Sequence, residues 1–305
     1  MLSRGALSVA RMGLCSLPML DLDAARDPVV PKDAATVVVL RERGGRVEVF
    51  CVKRHGKSGF LGGAVVFPGG KVATEDRALD WSAVTNGLAH RADHVAKEPL
   101  PFAIAALREL FEEATLLAHA RERLGDAMVK QYRQRLTELG AEGEERAFYS
   151  LLTEAELLLD TSRLHALSRW ITPKAEKRRY DTRFYLLPFE EAQEGLHDTH
   201  ETTSSFWATP AEVLERWENE EVFLAPPTSH TLTQLAEAGS IAHALERAAG
   251  ASLSPLCPHF AMDGDQMVLA LPGDPLFPEE SPPPSDPSAP TRFVLHGARF
   301  LPRRA

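Results

Sequence analysis

Three glutamates recur at short spacing in the segment Arg108-Glu109-Leu110-Phe111-Glu112-Glu113. On a helix, Glu109, Glu112 and Glu113 occupy positions i, i+3 and i+4, so their carboxylates share one face. Like charges at this spacing repel one another, and helix propensity does not require them. A hard divalent cation such as Mg²⁺ would explain the pattern, because it takes oxygen ligands and keeps positions for water or phosphate. The alternative is a solvated acidic face, which is the commoner explanation for such a short string taken alone.

A glycine-rich turn upstream favours the metal-binding interpretation. Phe67-Pro68-Gly69-Gly70 follows a predicted strand at residues 64–67, and its glycines let the backbone come close to a ligand or to a helix. The turn and the acidic segment together resemble the Nudix box of the Nudix hydrolases, G-x5-E-x7-R-E-U-x-E-E-x-G-U. Gly70 matches the first glycine, and the R-E-U-x-E-E part is matched by Arg108, Glu109, Leu110, Glu112 and Glu113.

The sequence departs from the Nudix box in three places. Asp76 stands where the pattern has its first glutamate, and Thr115 stands where it has its last glycine. The stretch from Gly70 to Arg108 is much longer than the pattern allows, so the box contains an insertion at about residues 77–101. An interrupted box of this kind is similar to one branch of the superfamily, which includes the peroxisomal coenzyme A diphosphatases of animals and their bacterial relatives.

Further segments carry the same resemblance, which covers about residues 34–249. They are Trp81 within the insertion, Arg169-Trp170-Ile171-Thr172-Pro173, the run from Arg178 to Phe184, His200-Glu201-Thr202 and Pro226-Pro227-Thr228. The resemblance implies an α/β (α+β) fold, in which a mixed sheet lies between helices and the box carries a helical insertion. It also implies hydrolysis, dependent on Mg²⁺ or Mn²⁺, of a nucleoside diphosphate linked to another moiety. Coenzyme A or acyl-coenzyme A is the first substrate to test.

The resemblance also assigns roles to individual residues. Glu112 and Glu113 are expected to be metal ligands, and Glu109 a ligand or the base that takes a proton from water. Arg108 is expected to orient a carboxylate through a forked pair. Glu201 is a candidate for a further acid or ligand, with a solvated loop residue as the alternative. The predicted substrate-binding residues are Gly69, Gly70, Arg178 and Arg183; the two arginines have surface charges flanking a strand as their alternative.

Two other functions stay open at this point. One keeps the chemistry and changes the substrate to ADP-ribose, NADH or a diadenosine polyphosphate, with the inserted stretch at residues 71–101 expected to decide among them. The other is a catalytically silent domain that binds a nucleotide. The presence of all three helix acids, Glu109, Glu112 and Glu113, argues against the silent domain, because binding alone does not require them.

Hydrophobic periodicity predicts the elements that must position these residues. Two paired strands are predicted at residues 35–40 and 47–52, joined at Gly44-Gly45. Further strands are predicted at 167–172, 183–187 and 206–208, and a terminal hairpin at 293–295 and 299–301. Helices are predicted at 102–118, within 121–159, at 210–217 and at 229–249. We expect an N-terminal extension at residues 1–33, a catalytic domain at 34–250 and a C-terminal tail at 251–305, with a proline-rich loop at 272–290.

Composition limits the partners of the chain. It has 305 residues, with 34 Lys and Arg against 43 Asp and Glu, and a net charge of −9. This acidic balance without a basic block argues against nucleic-acid or membrane-surface binding. The resemblance to the Nudix hydrolases makes a small nucleotide diphosphate the expected partner. The 3 cysteines form no CxxC pair, so a reducing compartment, the cytoplasm, is predicted. A homodimer is one assembly that the sequence leaves open.

Overall fold

The computed structural model describes residues 20–56, 61–144, 146–190, 192–198, 202–279 and 289–305. The strands are β1 Lys32–Arg43, β2 Arg46–Arg54, β3 Val65–Val66, β4 Gly69–Lys71, β5 His165–Ile171, β6 Tyr180–Pro188, β7 Thr202–Ala208, β8 His259–Asp263, β9 Gln266–Ala270, β10 Arg292–His296 and β11 Arg299–Arg303. The helices are α1 Glu75–Ala78, α2 Ala92–Val95, α3 Leu100–Ala114, α4 Asp126–Ala141, α5 Ala147–Glu154, α6 Pro210–Glu218, α7 Pro226–Ala238 and α8 Ile241–Gly250.

Strand β1 is the centre of a mixed sheet. It pairs in antiparallel fashion with β2 and β4 and in parallel with β6, and β5 follows β6 at the edge of the sheet. Successive side chains of β1 point to opposite faces. Val37 and Val39 pack into the hydrophobic core that contains α3, whereas Val38 and Leu40 pack into the core that contains α7 and α8. A mixed sheet between helices confirms the predicted fold class.

Helix α3, which carries the acidic segment, is shorter than its periodicity predicts. It begins at Leu100, with Pro101 in its first turn, and ends at Ala114. Thr115 follows in the left-handed conformation with a φ of 52°, and its amide donates a hydrogen bond to the Phe111 carbonyl. The prediction that the helix continues to residue 118 is therefore wrong at its last turn, because apolar periodicity does not register a left-handed residue.

The helical region predicted within residues 121–159 contains two helices, α4 and α5. Another helix prediction requires correction. The predicted single helix at 229–249 is divided into α7 and α8. Gly239 ends α7 with a φ of 67°, and the Ser240 side chain caps α8 by accepting from the His243 amide. Glycine and serine are the residues that favour such a stop and start.

The insertion in the box is folded against the rest of the domain. Trp81 is 3% exposed, its indole donates to the Glu75 carbonyl, and its ring lies edge-on to Tyr149 of α5 at 5.2 Å. Backbone hydrogen bonds join the amide of Asn86 to the Leu159 carbonyl and that of His90 to the Leu164 carbonyl. Trp81 therefore belongs to the packing of the insertion.

The C-terminal tail forms a second sheet, with strand order β11-β10-β9-β8. The predicted terminal hairpin is confirmed as β10 and β11, whereas β8 and β9 were not predicted. Phe293 and Phe300 of this sheet share a core with Trp170 of β5. Immediately before β8, Leu256 hydrogen-bonds along β5, donating to the Arg169 carbonyl and accepting from the amide of Ile171, each at 2.8 Å. The tail therefore packs on the main sheet. Of the predicted proline-rich loop, residues 280–288 lie outside the described residues.

No helix within the described ranges is long and apolar enough to cross a membrane.

Thr115 provides a test of the backbone conformation at the end of α3. A residue with a Cβ is strained in the left-handed region, and glycine is not. We therefore expect Thr115→Gly to have a higher free energy of unfolding than Thr115→Ala by about 1 kcal/mol. Both variants remove the threonine side chain, so the comparison isolates the backbone. Urea denaturation followed by circular dichroism measures the difference, and equal stabilities would contradict the assigned conformation.

Candidate functional site

A buried ion pair closes the insertion and joins the two parts of the box. The Arg108 guanidinium forms a fork on Asp76, with Nε 3.0 Å from Oδ1 and Nη2 3.0 Å from Oδ2. The Asp76 side chain is fully enclosed, and its Oδ2 also accepts from the Ala73 amide at 2.8 Å. Arg108 Nη2 donates in addition to the Lys71 carbonyl. From the sequence we expected Arg108 to form a forked pair with a carboxylate that was not specified. In the structure this carboxylate is Asp76.

The remaining amino group of Arg108 is shared by two of the helix acids. Nη1 is 2.9 Å from Glu109 Oε1 and 3.0 Å from Glu112 Oε2. Burial lowers the pKa of Arg108, but the hydrogen bond to Asp76 and the charges of Glu109, Asp76 and Glu112 outweigh burial and raise the pKa overall. Arg108 is therefore always a cation, and it fixes both carboxylates relative to the helix.

Glu112 is the most accessible of the three acids. Its side chain is 34% exposed, whereas the whole of Glu113 is 5% exposed. Burial raises the pKa of Glu112 above its usual value, against the opposing effect of Arg108. A carboxylate with a raised pKa holds a proton more readily than an ordinary glutamate.

The two glycines of the turn are required by two different neighbours. The Gly69 amide donates to Glu113 Oε2 at 3.1 Å, and a Cβ at this position would lie 2.4 Å from the Ala35 carbonyl oxygen of β1. A Cβ at Gly70 would lie 2.3 Å from Cδ of Glu109. Gly69 therefore allows β4 to pair with β1, and Gly70 leaves space for the Glu109 carboxylate.

Glu109, Glu113 and the glycine turn line one cleft with a volume of about 370 Å³. Its floor follows the sheet register. Ala34 of β1 lies opposite Thr182 of β6, which in turn lies opposite Trp170 of β5, and all three line the cleft. Of the inserted stretch at residues 71–101, only Lys71 lines it. We expected the inserted stretch to determine which substrate is bound. Its position, almost entirely outside the cleft, does not support that expectation.

Arg54 is a residue that the sequence analysis missed. It is the last residue of β2 and lines the cleft, as does Lys71. Its Nε is buried and finds no hydrogen-bond partner among the residues described. A guanidinium in this position suits phosphate oxygens, which it can bind through two parallel hydrogen bonds. The available signal was a basic residue at the end of a strand, next to a glycine-containing loop.

The other predicted substrate-binding arginines do not reach the cleft. Arg183 is buried, and its Nη1 lies 3.1 Å from Asp33 Oδ1 and 3.0 Å from Asp181 Oδ1. Its guanidinium stacks on Phe102 with 4.0 Å to the ring centroid. Arg178 is exposed and also lies outside the cleft. Glu201, like His200, lies outside the described residues, so its predicted role stays a prediction.

The three helix acids are the candidate ligands of a divalent metal ion. Within the described ranges, no group of three or more His, Cys, Asp or Glu side chains is arranged so that it could hold a metal ion by itself. Arg108 holds two of the carboxylates, and the Gly69 amide binds the third. Mg²⁺ needs no such cage, because it is commonly held by one or two carboxylates together with water and substrate phosphates. The space that Gly70 leaves for Glu109 is consistent with that use. Glu109 and Glu113, which line the cleft, would hold the ion, with Glu112 next to them on the same helix.

A mixed sheet between helices, with a glycine turn facing an acidic helix that an arginine organises, defines the class of Nudix hydrolases. A family model described as the NUDT19 Nudix domain matches residues 89–235. The chain is 31% identical over 277 residues to the acyl-coenzyme A diphosphatase NUDT19 of Gallus gallus, with 76% of this chain and 73% of the relative covered. The Homo sapiens protein of that name is 28% identical over 276 residues, with 75% and 72% covered. The chain belongs to the NUDT19 family of Nudix hydrolases.

A solved structure supports the fold. The crystal structure of a NUDIX hydrolase from Alicyclobacillus acidocaldarius superposes with a TM-score of 0.61 at 25% sequence identity, covering 72% of this chain and 96% of that chain. Nudix hydrolases generally use divalent metal ions. The family and the acidic residues of α3 therefore both indicate a divalent metal ion.

Substitution by alanine should have different consequences at Gly69 and at Gly70. Gly70→Ala places its Cβ against the end of a flexible side chain, so we expect a folded protein in which the Glu109 carboxylate is displaced. Its affinity for Mn²⁺, measured by electron paramagnetic resonance, should fall about 10-fold or more. Gly69→Ala instead meets the backbone of β1 and should lower the free energy of unfolding by about 2 kcal/mol. Wild-type Mn²⁺ affinity in folded Gly70→Ala would contradict the role of Glu109.

Proposed function

We propose that the protein hydrolyses the diphosphate of coenzyme A and its acyl thioesters. The products are adenosine 3′,5′-bisphosphate and 4′-phosphopantetheine or its S-acyl form. The observation that carries the proposal is one cleft in which Glu109, Glu113 and the glycine turn meet a long floor that includes Trp170 and Phe184. The names of the chicken and human relatives support the choice of substrate.

The proposed reaction transfers a phosphoryl group to water. The water oxygen forms a bond to one phosphorus, the bond from that phosphorus to the bridging oxygen breaks, and the bridging oxygen leaves on the other phosphate. Glu112, whose side chain is 34% exposed, accepts the proton of the attacking water. Arg54 and Lys71 bind phosphate oxygens in the cleft. Asp76 holds Arg108, and Arg108 keeps Glu109 and Glu112 in position.

We propose Mg²⁺ or Mn²⁺ as the ion, held by Glu109 and Glu113, which line the cleft. Glu112, expected from the sequence to be a ligand, is proposed instead as the base. When bound, such an ion makes water a better nucleophile and neutralises charge on the phosphates. The carboxylates alone would repel a diphosphate, so the ion allows both to occupy one cleft. Hard oxygen donors without histidine or cysteine favour these two metals over softer ones.

We also propose that the protein works in a reducing compartment, the cytoplasm. The described cysteines, Cys51 and Cys257, are both free thiols, and Cys51 is buried in the core. Burial raises the pKa of Cys51 to about 12, so this thiol is unreactive at neutral pH. A core that contains a free thiol is ordinary for a protein that is kept reduced.

Glu112→Gln tests the catalytic assignment. The amide keeps the size of the side chain but cannot accept the proton, so kcat on acyl-coenzyme A should fall about 10²–10⁴-fold. Glu138→Gln on α4, an exposed acid outside the cleft, is the matched control and should retain full activity. Circular dichroism checks that both variants are folded. Full activity in Glu112→Gln, or an equal loss in both variants, would remove Glu112 from the mechanism.

The products test the substrate assignment independently. Incubation of the wild-type protein with decanoyl-coenzyme A and Mg²⁺ or Mn²⁺ should release adenosine 3′,5′-bisphosphate and S-decanoyl-4′-phosphopantetheine, both detected by mass spectrometry. A screen with ADP-ribose, NADH and a diadenosine polyphosphate runs in parallel. Cleavage of one of these compounds, with coenzyme A and its thioesters left intact, would refute the proposed substrate and keep the reaction type.

A further inference from the structure

The floor of the cleft is long because it crosses the sheet. From β4, next to the Glu109 carboxylate, it passes over β1 and β6 to Trp170 on β5. Three interstrand spacings of about 4.8 Å each make this path about 14 Å long. That length equals about four residues of fully extended chain. The pantetheine arm of coenzyme A, an extended chain with two amide units, is an occupant of comparable length.

The C-terminal tail contributes to the wall at the β5 side. Pro258 and Leu269 of the tail line the same cleft as Glu109 and Glu113. Both tail residues are buried, with Leu269 2% exposed, and Leu269 belongs to the core that contains Trp170 and Phe184. The hydrogen bonds of Leu256 to β5 fix the approach of this segment to the main sheet. The acidic helix and the tail therefore border one continuous space.

The chemistry of this side of the cleft differs from that around the carboxylates. Trp170, Phe184, Pro258 and Leu269 present apolar surface. Trp170 itself is 3% exposed. Apolar walls of this kind suit an acyl chain.

We propose that the C-terminal sheet is the element that determines acyl specificity. The acyl-pantetheine arm lies between β5 and the tail, against Trp170, Phe184, Pro258 and Leu269, while the diphosphate lies beside Glu109 and Gly70. This inference rests on the proposed function, since it assigns the two ends of one substrate. In this proposal Leu269 determines acyl specificity, because the size of its side chain sets how much space the cleft has for the acyl chain.

Two substitutions of Leu269 with opposite effects on volume test this assignment. The measured quantity is the ratio of kcat/KM for decanoyl-coenzyme A to kcat/KM for unacylated coenzyme A. Leu269→Phe reduces the space and should lower the ratio about 10-fold, as expected for a pocket that loses room for a few methylenes. Leu269→Ala enlarges the space and should shift the preference towards longer acyl chains. A purely structural role for Leu269 would lower both activities together and leave the ratio unchanged, which would overturn the proposal.

Met262→Phe is the matched control. Met262 lies on β8 of the same sheet, is 52% exposed and is outside the cleft, so the ratio should stay at the wild-type value. An equal change of the ratio in Met262→Phe and Leu269→Phe would indicate a general effect of the sheet and overturn the proposal. If Leu269→Phe fails to fold, Leu269→Ala alone decides through its shift in chain-length preference.

A binding experiment separates this inference from the proposed function. S-decanoyl-pantetheine contains the arm and the acyl chain but has neither nucleotide nor diphosphate. Calorimetry on the full chain should detect its binding to the wild type and a dissociation constant about 10-fold weaker for Leu269→Phe. No binding to the wild type would overturn the acyl subsite even if coenzyme A is hydrolysed. Binding without hydrolysis of any coenzyme A compound would refute the proposed function and retain the subsite.

Discussion

The arrangement of the site depends on the buried pair between Asp76 and Arg108. A carboxylate without solvent contact is stable only when it is paired and its oxygens are hydrogen-bonded. Asp76 meets this requirement by accepting from Arg108 at both oxygens and from the Ala73 amide. Because the pair spans the insertion, its formation brings the turn at Gly70 to the helix acids whatever the length of chain between them. The orientation of Glu109 and Glu112 then follows from the remaining amino group of Arg108.

The sequence was sufficient where the determining interactions are local or carried by a motif. Apolar runs located β1 and β2, and the box residues located the acidic edge of α3. It was insufficient where a distant partner decides. Arg183 looked available for phosphate, but Asp33, Asp181 and Phe102 occupy it. Strands β8 and β9 are stabilised by the pairing of β9 with β10 and by the core around Trp170, and a local window shows neither of these contacts. Arg54 was missed because only the fold brings it to the cleft.

The net charge of −9 and an anionic substrate are compatible once the charges are located. Many acids form surface ion pairs, such as Glu194 with Arg41 and Arg43. Such exposed pairs contribute little to stability and are screened by salt. The cleft has its own local balance, in which Arg54 and Lys71 face the carboxylates of Glu109 and Glu113. Local placement of charge, and not the total, sets which anion can approach.

The hydrogen bonds of Leu256 along β5 affect how much of this edge strand could pair with another molecule. An uncovered edge strand presents unpaired amide and carbonyl groups that can recruit a strand from another molecule. Strand β5 is such an edge, and the amide of Ile171 and the carbonyl of Arg169 are satisfied by Leu256. The tail therefore occupies part of this edge, so these two groups are not available to a strand of another molecule.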